Sequence, residues 1–555
     1  MSQYVVTGRK ESAELSSTSQ FRHPPVVLLD GTAALPREVL GNKGYGINAM
    51  RRQGLPVPPA FCITTEVCEQ YFTDPDATTN SIRDEVRDKL RWLEDETSRT
   101  FGRGPRPLLV SVRSGAPLSM PGMLDTVLDL GIDDPVESTL AALHDPDFAA
   151  DTRRRFNHMY RRIVLGDENA TVPEDPFAQL SGAIGAVFSS WNSPRAIAYR
   201  KHHGLSEIGG TAVVVQAMVF GNMDANSGTG VLFSRNPMTG SAEPFGEWLP
   251  RGQGEDVVSG TFDVQPISAL HSDQAAVYQE LMMAATTLER IAKDVQDIEF
   301  TVEQGKLWLL QTRVAKRSAQ AAVRLALAFH DEGQIDDREV LRRINPTHLT
   351  TLLQPALQPE IRLAATLLAK GLPACPGVVS GIAHTDVDEA IDAAEEGQDV
   401  ILVRSSTSPD DIQGMMAACG IVTEIGGATS HAAVVSRELH RPTVVGCGTG
   451  VADALAGKQI TIDGTEGEVR EGILELTAWS EEDSPDLVAL GRMARQHSPL
   501  RAHAVGDYPT LDDNTESGVR AALAAGMTDV VSERPLVAML SAARLQLNTS
   551  ADQQG

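Results

Sequence analysis

The feature that most constrains this chain is a glycine-rich turn that leads directly into a histidine and a helix-forming run, Gly426–Arg437. The apolar, strand-like stretch Ile421–Thr423 comes just before it. The two glycines allow the backbone to approach a ligand closely, and Thr429 or Ser430 can cap a helix that begins near His431. The order strand, tight turn, helix favours an α/β architecture around this histidine.

The position of His431 indicates nucleophilic chemistry. A histidine in the first turn of a helix lies beside unpaired backbone N–H groups and the positive end of the helix dipole. That setting disfavours the imidazolium form, so the ring stays neutral and nucleophilic. The same N–H groups would stabilise a phosphoryl group attached to it. The alternative is that His431 only begins the helix, and the surrounding loop and helix favour the nucleophile.

The run from Gly426 resembles the phosphohistidine motif of the phosphoenolpyruvate-utilising enzymes, and within them the pyruvate, phosphate dikinase family. Val400–Gly414 is similar to the strand and turn before the family's histidine, and Gly371–Gly377 to the start of its swivelling histidine domain. The resemblance extends to about Leu476. It implies a multidomain chain of α/β and α+β classes, with an ATP-grasp nucleotide-binding domain followed by a swivelling phosphohistidine domain.

Two segments near the start predict phosphate contacts. Lys43 lies between Gly41 and Gly44, where a lysine in a glycine-rich loop can neutralise phosphates, although an ordinary turn is the alternative. Arg113 ends a strand-like run, where its planar guanidinium can reach a phosphate, a surface salt bridge being the alternative. The family resemblance implies that both residues bind ATP.

A third segment, Gly210–Pro266, supplies further candidates through the resemblance. Gln216 falls near the adenine-binding strand of ATP-grasp folds, and Arg235 is placed for phosphate. Glu255 and Asp256 either join the site or belong to a solvated loop.

The segment from Asp297 to Arg313 predicts a β-hairpin with its turn at Gly305. Glu299 would then face Gln311, and Asp297 would face Arg313, all on one face. A carboxylate opposite an amide oxygen suits Mg²⁺, polar pairing on a solvent face being the alternative. The resemblance implies that Glu299, Gln311 and Arg313 face ATP and its metal. The other face is predicted to form core, with Ile298, Phe300, Val302, Trp308 and Leu310.

The pattern of apolar runs, prolines and charges suggests a division of the chain. We expect a leader at 1–29, a nucleotide-binding domain at 30–330 with a helical insertion at 134–201, a linker arm at 331–370, a phosphohistidine domain at 371–476, and a short C-terminal segment at 477–555 that faintly resembles the start of a barrel. A (β/α)₈ barrel needs about 250 residues, far more than that last segment offers.

Composition excludes several classes of partner. The net charge of −26 disfavours nucleic acid. The five scattered cysteines are typical of a reducing cytoplasm. We expect a cytoplasmic protein without a signal peptide, because the start lacks that layout, and without a membrane partner, because no stretch reaches the ~20 apolar residues of a span.

The resemblance finally implies a reaction. ATP, with Mg²⁺, would give its β-phosphoryl group to His431 and its γ-phosphoryl group to inorganic phosphate, yielding AMP and diphosphate; a sister family uses water instead. Pyruvate on a separate barrel protein, or a small molecule other than pyruvate, would be the acceptor. The alternative is a degenerate regulatory or scaffold subunit. Thr429 matches a regulatory phosphorylation position, and a homodimer is common in the family.

Overall fold

The computed structural model describes residues 21–552 except 119, 121, 203, 206–208, 255, 260, 261, 263, 354, 355, 358, 478–480, 482 and 483. Most of the expected leader and the candidate Glu255 therefore lie outside the described residues. The molecule combines antiparallel sheets, a mixed sheet and many helices, so the expected α/β and α+β multidomain class is confirmed.

The first half of the chain builds two antiparallel sheets and a helical segment between their strands. Its elements are β1 (Val26–Leu28), α1 (Arg37–Arg52), β2 (Ala60–Ile63), α2 (Thr65–Tyr71), α3 (Pro75–Thr97), β3 (Thr100–Phe101), β4 (Pro107–Leu108), β5 (Val110–Gly115), β6 (Thr126–Leu130), α4 (Asp134–Leu143), α5 (Pro146–Tyr160), a π-helical turn (Arg161–Leu165), α6 (Pro176–Ser190), α7 (Pro194–His202), β7 (Ala212–Ala217), β8 (Gly228–Phe233), β9 (Phe245–Pro250), α8 (Asp256–Ser259), β10 (Gln265–Pro266), α9 (Ser268–Asp273), α10 (Ala275–Ala292), β11 (Gln296–Glu303) and β12 (Lys306–Val314).

The first sheet has the order β1-β2-β7-β5-β6, and the second has the order β10-β9-β8-β11-β12. Side chains alternate between the two faces of a strand. On one face of the first sheet, Val110, Val112 and Val215 pack against the helical segment. On its other face, Val214 shares a core with Ile298 and Phe300 of the second sheet. The two sheets therefore stand against each other with α1 between them.

The predicted hairpin forms with one irregularity. Gln304 and Gly305 both have positive φ, of 52° and 77°, which is the geometry of a tight hairpin turn. A bulge between Glu299 and Phe300 shifts the register of β11 against β12. On the turn side of the bulge, Val302 pairs with Leu307 and Phe300 with Leu309, so the core takes Leu307 and Leu309. The predicted core positions Trp308 and Leu310 are wrong, since both side chains are only partly buried.

The environment of Lys43 also differs from the expected loop. Lys43 lies within α1, which is kinked at Gly41, where φ is 66° and ψ is 165°. A side chain at Gly41 would place its Cβ 1.6 Å from the carbonyl oxygen of Gly115. The glycine is needed because the kinked helix touches the end of β5.

The second half begins with a helical arm and continues into an eight-stranded sheet. Its elements are α11 (Ala319–Asp331), α12 (Asp337–Arg343), α13 (Pro346–Leu352), β13 (Ala356–Leu357), α14 (Pro359–Ala364), β14 (Leu367–Lys370), β15 (Leu372–Cys375), β16 (Val378–His384), α15 (Val387–Glu395), β17 (Val400–Arg404), a 3₁₀ turn (Pro409–Asp411), α16 (Ile412–Ala417), β18 (Gly420–Thr423), α17 (His431–Leu439), β19 (Thr443–Val445), α18 (Val451–Leu455), β20 (Gln459–Asp463), β21 (Glu468–Glu471), β22 (Leu476–Thr477), α19 (Pro485–His497), β23 (Arg501–His503), α20 (Glu516–Ala524), β24 (Asp529–Val531) and α21 (Pro535–Asp552).

The eight-stranded sheet carries the histidine. Its order is β14-β21-β20-β16-β17-β18-β19-β15, and the central pairs β16–β17, β17–β18 and β18–β19 are parallel. The strand-like stretch Ile421–Thr423 forms most of β18, and the turn after β18 leads into α17. Because ligands of open parallel sheets gather at the carboxyl ends of the strands, this turn is placed for chemistry.

The last described segment packs on the arm rather than standing alone. Leu487, Leu490 and Leu540 share a core with Val340 and Leu349 of the arm. Within the segment, β23 and β24 pair in parallel, a connection that needs a crossover such as α20.

Candidate functional site

One face of the second sheet collects the polar residues that the hairpin pattern predicted. Glu299 is the register partner of Gln311, and Asp297 of Arg313, which confirms the predicted pairing. On the other side of β11, Glu299 faces Val231 of β8, which in turn faces Glu247 of β9. Opposite residues of an antiparallel pair share a face. Glu247, Glu299 and Gln311 therefore lie in one row across four strands.

Cations reach this face from the other sheet and from α1. The Nη2 atom of Arg113 lies 3.2 Å from Oε2 of Glu299, although the two residues are 186 apart in the chain. Lys43 lies beside the end of β5: a Cβ atom added at Gly115 would lie 3.4 Å from the Cβ of Lys43. Arg313 Nε donates to Asp297 Oδ2 at 2.7 Å. The sheets thus bring three basic side chains close to Asp297 and Glu299.

The electrostatics suit an anionic ligand. Burial alone would raise the pKa of Glu299, but Arg113, Arg313 and Lys43 outweigh it and hold the pKa below its ordinary value. Burial, together with Arg113 and Arg313, brings the pKa of Lys43 well below its ordinary value. A bound polyphosphate would reverse that shift, because an anion nearby favours the protonated ammonium.

The donor set also fits Mg²⁺. An ionised carboxylate on Glu299 and an amide oxygen on Gln311 face each other, and Mg²⁺ prefers such oxygen ligands completed by phosphates and water. No group of three or more His, Cys, Asp or Glu side chains that could hold a metal by itself occurs in the described part of the chain. Glu299 and Gln311 could hold Mg²⁺ together with phosphate oxygens and water.

Two further residues predicted to bind the nucleotide, Gln216 and Arg235, have partners within the protein. Gln216 is buried in β7 on the face that carries Arg113, and its Nε2 atom donates to the carbonyl of Pro58 at 3.3 Å. The guanidinium of Arg235 is bound by Glu289 and Glu332, with N–O distances of 2.8 and 2.6 Å. Because these ion pairs occupy the guanidinium away from the cluster, we correct the expectation that Arg235 contacts phosphate.

Asp256, which the sequence left open, forms an ion pair at 2.7 Å with Arg155 of the helical segment. Its other oxygen accepts from the N–H of Gln253 at 2.9 Å. The carboxylate is buried, so the solvated-loop interpretation is wrong for this residue.

His431 is the first residue of α17, as the sequence predicted. Ser430 is the N-cap, and its Oγ accepts from the N–H of Ala433. The ring Nδ1 lies 3.1 Å from the hydroxyl of Thr407. The ring Nε2 is buried and has no hydrogen-bond partner among the described residues. Nε2 lies next to Gly122: a Cβ atom added at Gly122 would lie 3.2 Å from Nε2.

The hydroxyl of Thr407 can accept a hydrogen bond from Nδ1–H, which leaves the lone pair on Nε2. Removal from water lowers the pKa of His431 to about 4, although Asp411 acts in the opposite direction. The ring is therefore neutral at neutral pH, in the direction that the sequence predicted. The uncharged Nε2 therefore carries a lone pair that no hydrogen bond occupies in the described part of the chain.

We expect His431 to take up its proton near pH 4 in the folded protein, far below the ordinary value of about 6.5. A lowered folded pKa means that the ring stays neutral as the pH falls through 6.5 and charges only near 4. Exchange of the imidazole C2 hydrogen, followed by mass spectrometry across pH, measures this midpoint. Unfolded protein in denaturant is the control, and a midpoint near 6.5 in the folded state would contradict the prediction.

The loop before His431 is bound to the second sheet by Glu247. Its Oε1 accepts from the N–H of Ala428 at 2.7 Å, and its Oε2 accepts from the N–H of Thr429 at 3.2 Å and from the Thr429 hydroxyl. A Cβ atom added at Gly427 would lie only 2.3 Å from Oε1 of Glu247. Sequence reasoning missed Glu247, and Ser430 rather than Thr429 caps the helix.

Further contacts join the two halves around this loop. Arg195 of α7 lies 3.5 Å from Asp410. At the far end of α17, Glu438 accepts from Lys316 at 2.7 Å and from the hydroxyl of Tyr199. No sequence pattern indicated Thr407 or the residues of these interdomain contacts, because their role depends on the position of another domain. The histidine domain therefore contacts the first half of the chain at Glu247, at α7 and at Lys316.

Across the described residues, every helix falls short of the length and apolar character that crossing a membrane requires.

Two family models match the chain. Residues 77–280 match the pyruvate phosphate dikinase AMP/ATP-binding domain, and residues 396–467 match the mobile domain of PEP-utilising enzymes. The first match covers Arg113, Gln216 and Glu247, and the second covers Thr407 and His431. The other polar residues of the cluster lie outside both matched ranges: Lys43, Asp297, Glu299, Gln311 and Arg313.

Curated relatives agree with these matches. Pyruvate, phosphate dikinase of Rhizobium meliloti is 42% identical over 79% of this chain and 56% of that protein. The enzyme of Clostridium symbiosum is 40% identical over 80% of this chain and 57% of that protein. Pyruvate, phosphate dikinase 2 of Zea mays is 40% identical over 78% of this chain and 55% of that protein. The chain spans little more than half the length of these relatives.

Proposed function

The chain belongs, through the AMP/ATP-binding and mobile domains that it carries, to the pyruvate, phosphate dikinase family, and from this we propose that it transfers a phosphoryl group from ATP to Nε2 of its own His431. One observation carries the proposal. The loop of His431 is bound through Glu247 to the same sheet face that holds Glu299 and Gln311. This contact supports the proposal because it holds the loop of the acceptor histidine on the sheet face that bears the residues proposed to bind phosphate and metal.

The residues divide the work between binding and reaction. Lys43, Arg113 and Arg313 neutralise the phosphates, and Gln216 lies on the strand next to Arg113, where it lines the nucleotide side. Glu299 and Gln311 would hold Mg²⁺, which supplies positive charge to the phosphate oxygens. Phosphoryl transfer depends mainly on such positioning and charge neutralisation. Thr407 holds the tautomer in which Nε2 carries the lone pair.

The proposed reaction follows the family resemblance. Nε2 of His431 forms a bond to the β-phosphorus of ATP while the bond to the α–β bridging oxygen breaks and AMP leaves. Inorganic phosphate then takes the γ-phosphoryl group as diphosphate, leaving one phosphoryl group on His431. We propose phosphate rather than water in this role because the segment of Ser111–Gly131 resembles the dikinase version. The group then passes to pyruvate on a separate protein or to another small acceptor.

The proposal is tested with purified protein, Mg²⁺ and ATP labelled at the β-phosphate, with and without inorganic phosphate. We expect label on the protein that is labile in acid and stable in base, AMP as product, and no label on His431→Ala. Diphosphate formed only when phosphate is added identifies the dikinase reaction. Folded wild-type protein that takes no label under any condition would overturn the proposal and favour a degenerate scaffold subunit.

Replacing Thr407 with valine is expected to slow this labelling about fivefold, because loss of one hydrogen bond is worth about 1 kcal/mol and the tautomer is no longer held. The side chain keeps its volume, so the effect comes from the hydroxyl. Thr407→Ser, which keeps the hydroxyl, is the matched control and is expected to react within about twofold of wild type. The initial rate of labelling at saturating ATP measures both. Equal rates for the valine and serine variants would contradict the assigned role.

A further inference from the structure

Arg437 lies behind the histidine loop, in the same helix as His431, and only 1% of it is exposed. Its Nη1 atom donates to two carbonyl oxygens of its own domain, that of Ala374 at 3.2 Å and that of Ala428 at 3.1 Å. Ala428 is also the residue whose N–H binds Glu247. The guanidinium therefore holds from behind the same loop that the carboxylate of Glu247 holds from the front.

This arginine has hydrogen-bond donors left over. Its Nε and Nη2 atoms are buried and have no partner within the described residues. Burial lowers the pKa of Arg437 to about 10, while Cys375, Asp297 and Glu247 act to raise it. Arg437 remains protonated at neutral pH. A buried, protonated guanidinium with unused donors is unfavourable unless nearby carboxylates stabilise its charge.

Those carboxylates come from the other half of the molecule. The guanidinium carbon of Arg437 lies 5.8 Å from the centroid of the Phe233 ring. Phe233 is the register partner of Asp297 in the second sheet, and the two share a face. Asp297 gives one oxygen to Arg313, and its Oδ1 atom is buried without a partner in the described part of the chain. The guanidinium of Arg437 and Oδ1 of Asp297 thus come from opposite halves of the molecule, and each has hydrogen-bonding capacity that no described residue uses.

We propose that Arg437 is a positioning residue for phosphoryl transfer, setting the docked position of the His431 loop through attraction to Asp297 and Glu247 of the nucleotide half. The inference rests on the proposed function and adds a residue that touches neither phosphate nor metal. Attraction between opposite charges acts strongly where water is excluded. The attraction of Arg437 to Asp297 and Glu247 therefore acts only while the loop is docked, and it affects the transfer step rather than ATP binding.

The test compares Arg437→Met and Arg437→Lys in the full chain. With Mg²⁺ and ATP, the methionine variant is expected to label His431 about 10- to 100-fold more slowly at saturating ATP, the effect of losing charge-assisted hydrogen bonds. The ATP concentration giving half the maximal rate is expected to stay within about threefold of wild type, because the phosphate-binding cations remain. The lysine variant keeps the charge but not the planar fork, so we expect a fall of about 3- to 10-fold.

A second readout uses phosphoramidate, a small phosphoryl donor that needs no nucleotide half. Both variants are expected to be labelled at least as fast as wild type, because an undocked loop exposes Nε2 of His431. Arg441→Met is the matched control. Its guanidinium donates to the carbonyl of Met416, also in the histidine domain, and we expect wild-type rates with both donors. Thermal melting of each variant checks that it is folded, and the lysine variant carries the test if the methionine variant is not.

Each remaining outcome decides the matter. Phosphoramidate labelling that slows in parallel with ATP labelling would mean that Arg437 only shapes the loop, and would overturn the inference. Unchanged ATP labelling would overturn it as well. Wild-type protein that is labelled by phosphoramidate but never by ATP would refute the proposed function. The inference would then be judged by whether phosphoramidate labels the variants faster than wild type.

Discussion

Replacing Glu299 with glutamine is expected to slow phosphorylation of His431 about 1,000-fold, equivalent to roughly 4 kcal/mol at the transition state. The carboxylate is the ligand proposed for Mg²⁺ and the partner of Arg113 at 3.2 Å. Its loss leaves Arg113 and Lys43 without their shared counter-charge, whereas Arg313 keeps Asp297, and it weakens the metal site. The initial rate of labelling from ATP, measured over a range of Mg²⁺ concentrations, gives the effect.

The chain offers two matched comparisons for Glu299. Gln311 is its direct cross-strand partner, so the double variant Glu299→Gln with Gln311→Glu restores the carboxylate on the neighbouring strand. We expect it to recover part of the rate and to need more Mg²⁺. Glu303→Gln removes a carboxylate from the same strand that accepts from the N–H of Phe220, and we expect less than about a threefold change. A Glu299→Gln variant that reacts like wild type would refute the metal and phosphate assignment.

Replacing Glu247 with glutamine is expected to slow the same reaction about 100-fold. Glu247 accepts from the N–H groups of Ala428 and Thr429 and from the Thr429 hydroxyl. Hydrogen bonds to a charged group are worth about 1.5–3 kcal/mol each, so weakening two of them accounts for the size of the effect. The amide of glutamine also turns a donor toward N–H groups that need an acceptor. The histidine loop should then spend most of its time undocked.

Separate measurements of ATP binding and of His431 labelling distinguish a docking role of Glu247 from a role in the nucleotide site. We expect ATP to bind Glu247→Gln as it binds wild type in equilibrium dialysis, because Lys43, Arg113 and Glu299 are unchanged. Glu243→Gln is the control, since Glu243 precedes β9 by a short stretch and is exposed. A variant that loses ATP binding together with labelling would show that Glu247 belongs to the nucleotide site instead.

The raised pKa of Glu247, caused mainly by burial and opposed by hydrogen bonds from Thr429 and Ala428, is consistent with a carboxylate shielded by the docked loop. Thr429 is buried in the same contact. A phosphoryl group on the Thr429 hydroxyl would place negative charge against this carboxylate, and like charges at such a distance repel. Thr429 therefore remains a candidate regulatory position, now with a physical consequence in undocking.

Sequence alone determined the features that depend on local backbone geometry. The hairpin itself follows from the two-residue period of its strands and the glycine turn at Gly305, whereas the bulge beside Glu299 completes its pairing with Gln311. The helix start at His431 follows from the glycines and the Ser430 cap. These patterns are readable because each involves residues close together in the chain, and the steric limits on the backbone apply there whatever surrounds it.

Tertiary structure decided which of these pieces meet. The contact of Arg113 with Glu299 joins residues 186 apart, and that of Glu247 with Ala428 joins residues 181 apart. Arg235 has the residue type of a phosphate ligand, yet Glu289 and Glu332 occupy its guanidinium. Spacing along the chain carries no record of such contacts, because they arise from the packing of whole sheets and domains. The docking of the His431 loop on Glu247 and the position of Arg437 behind that loop could therefore be found only in the folded molecule.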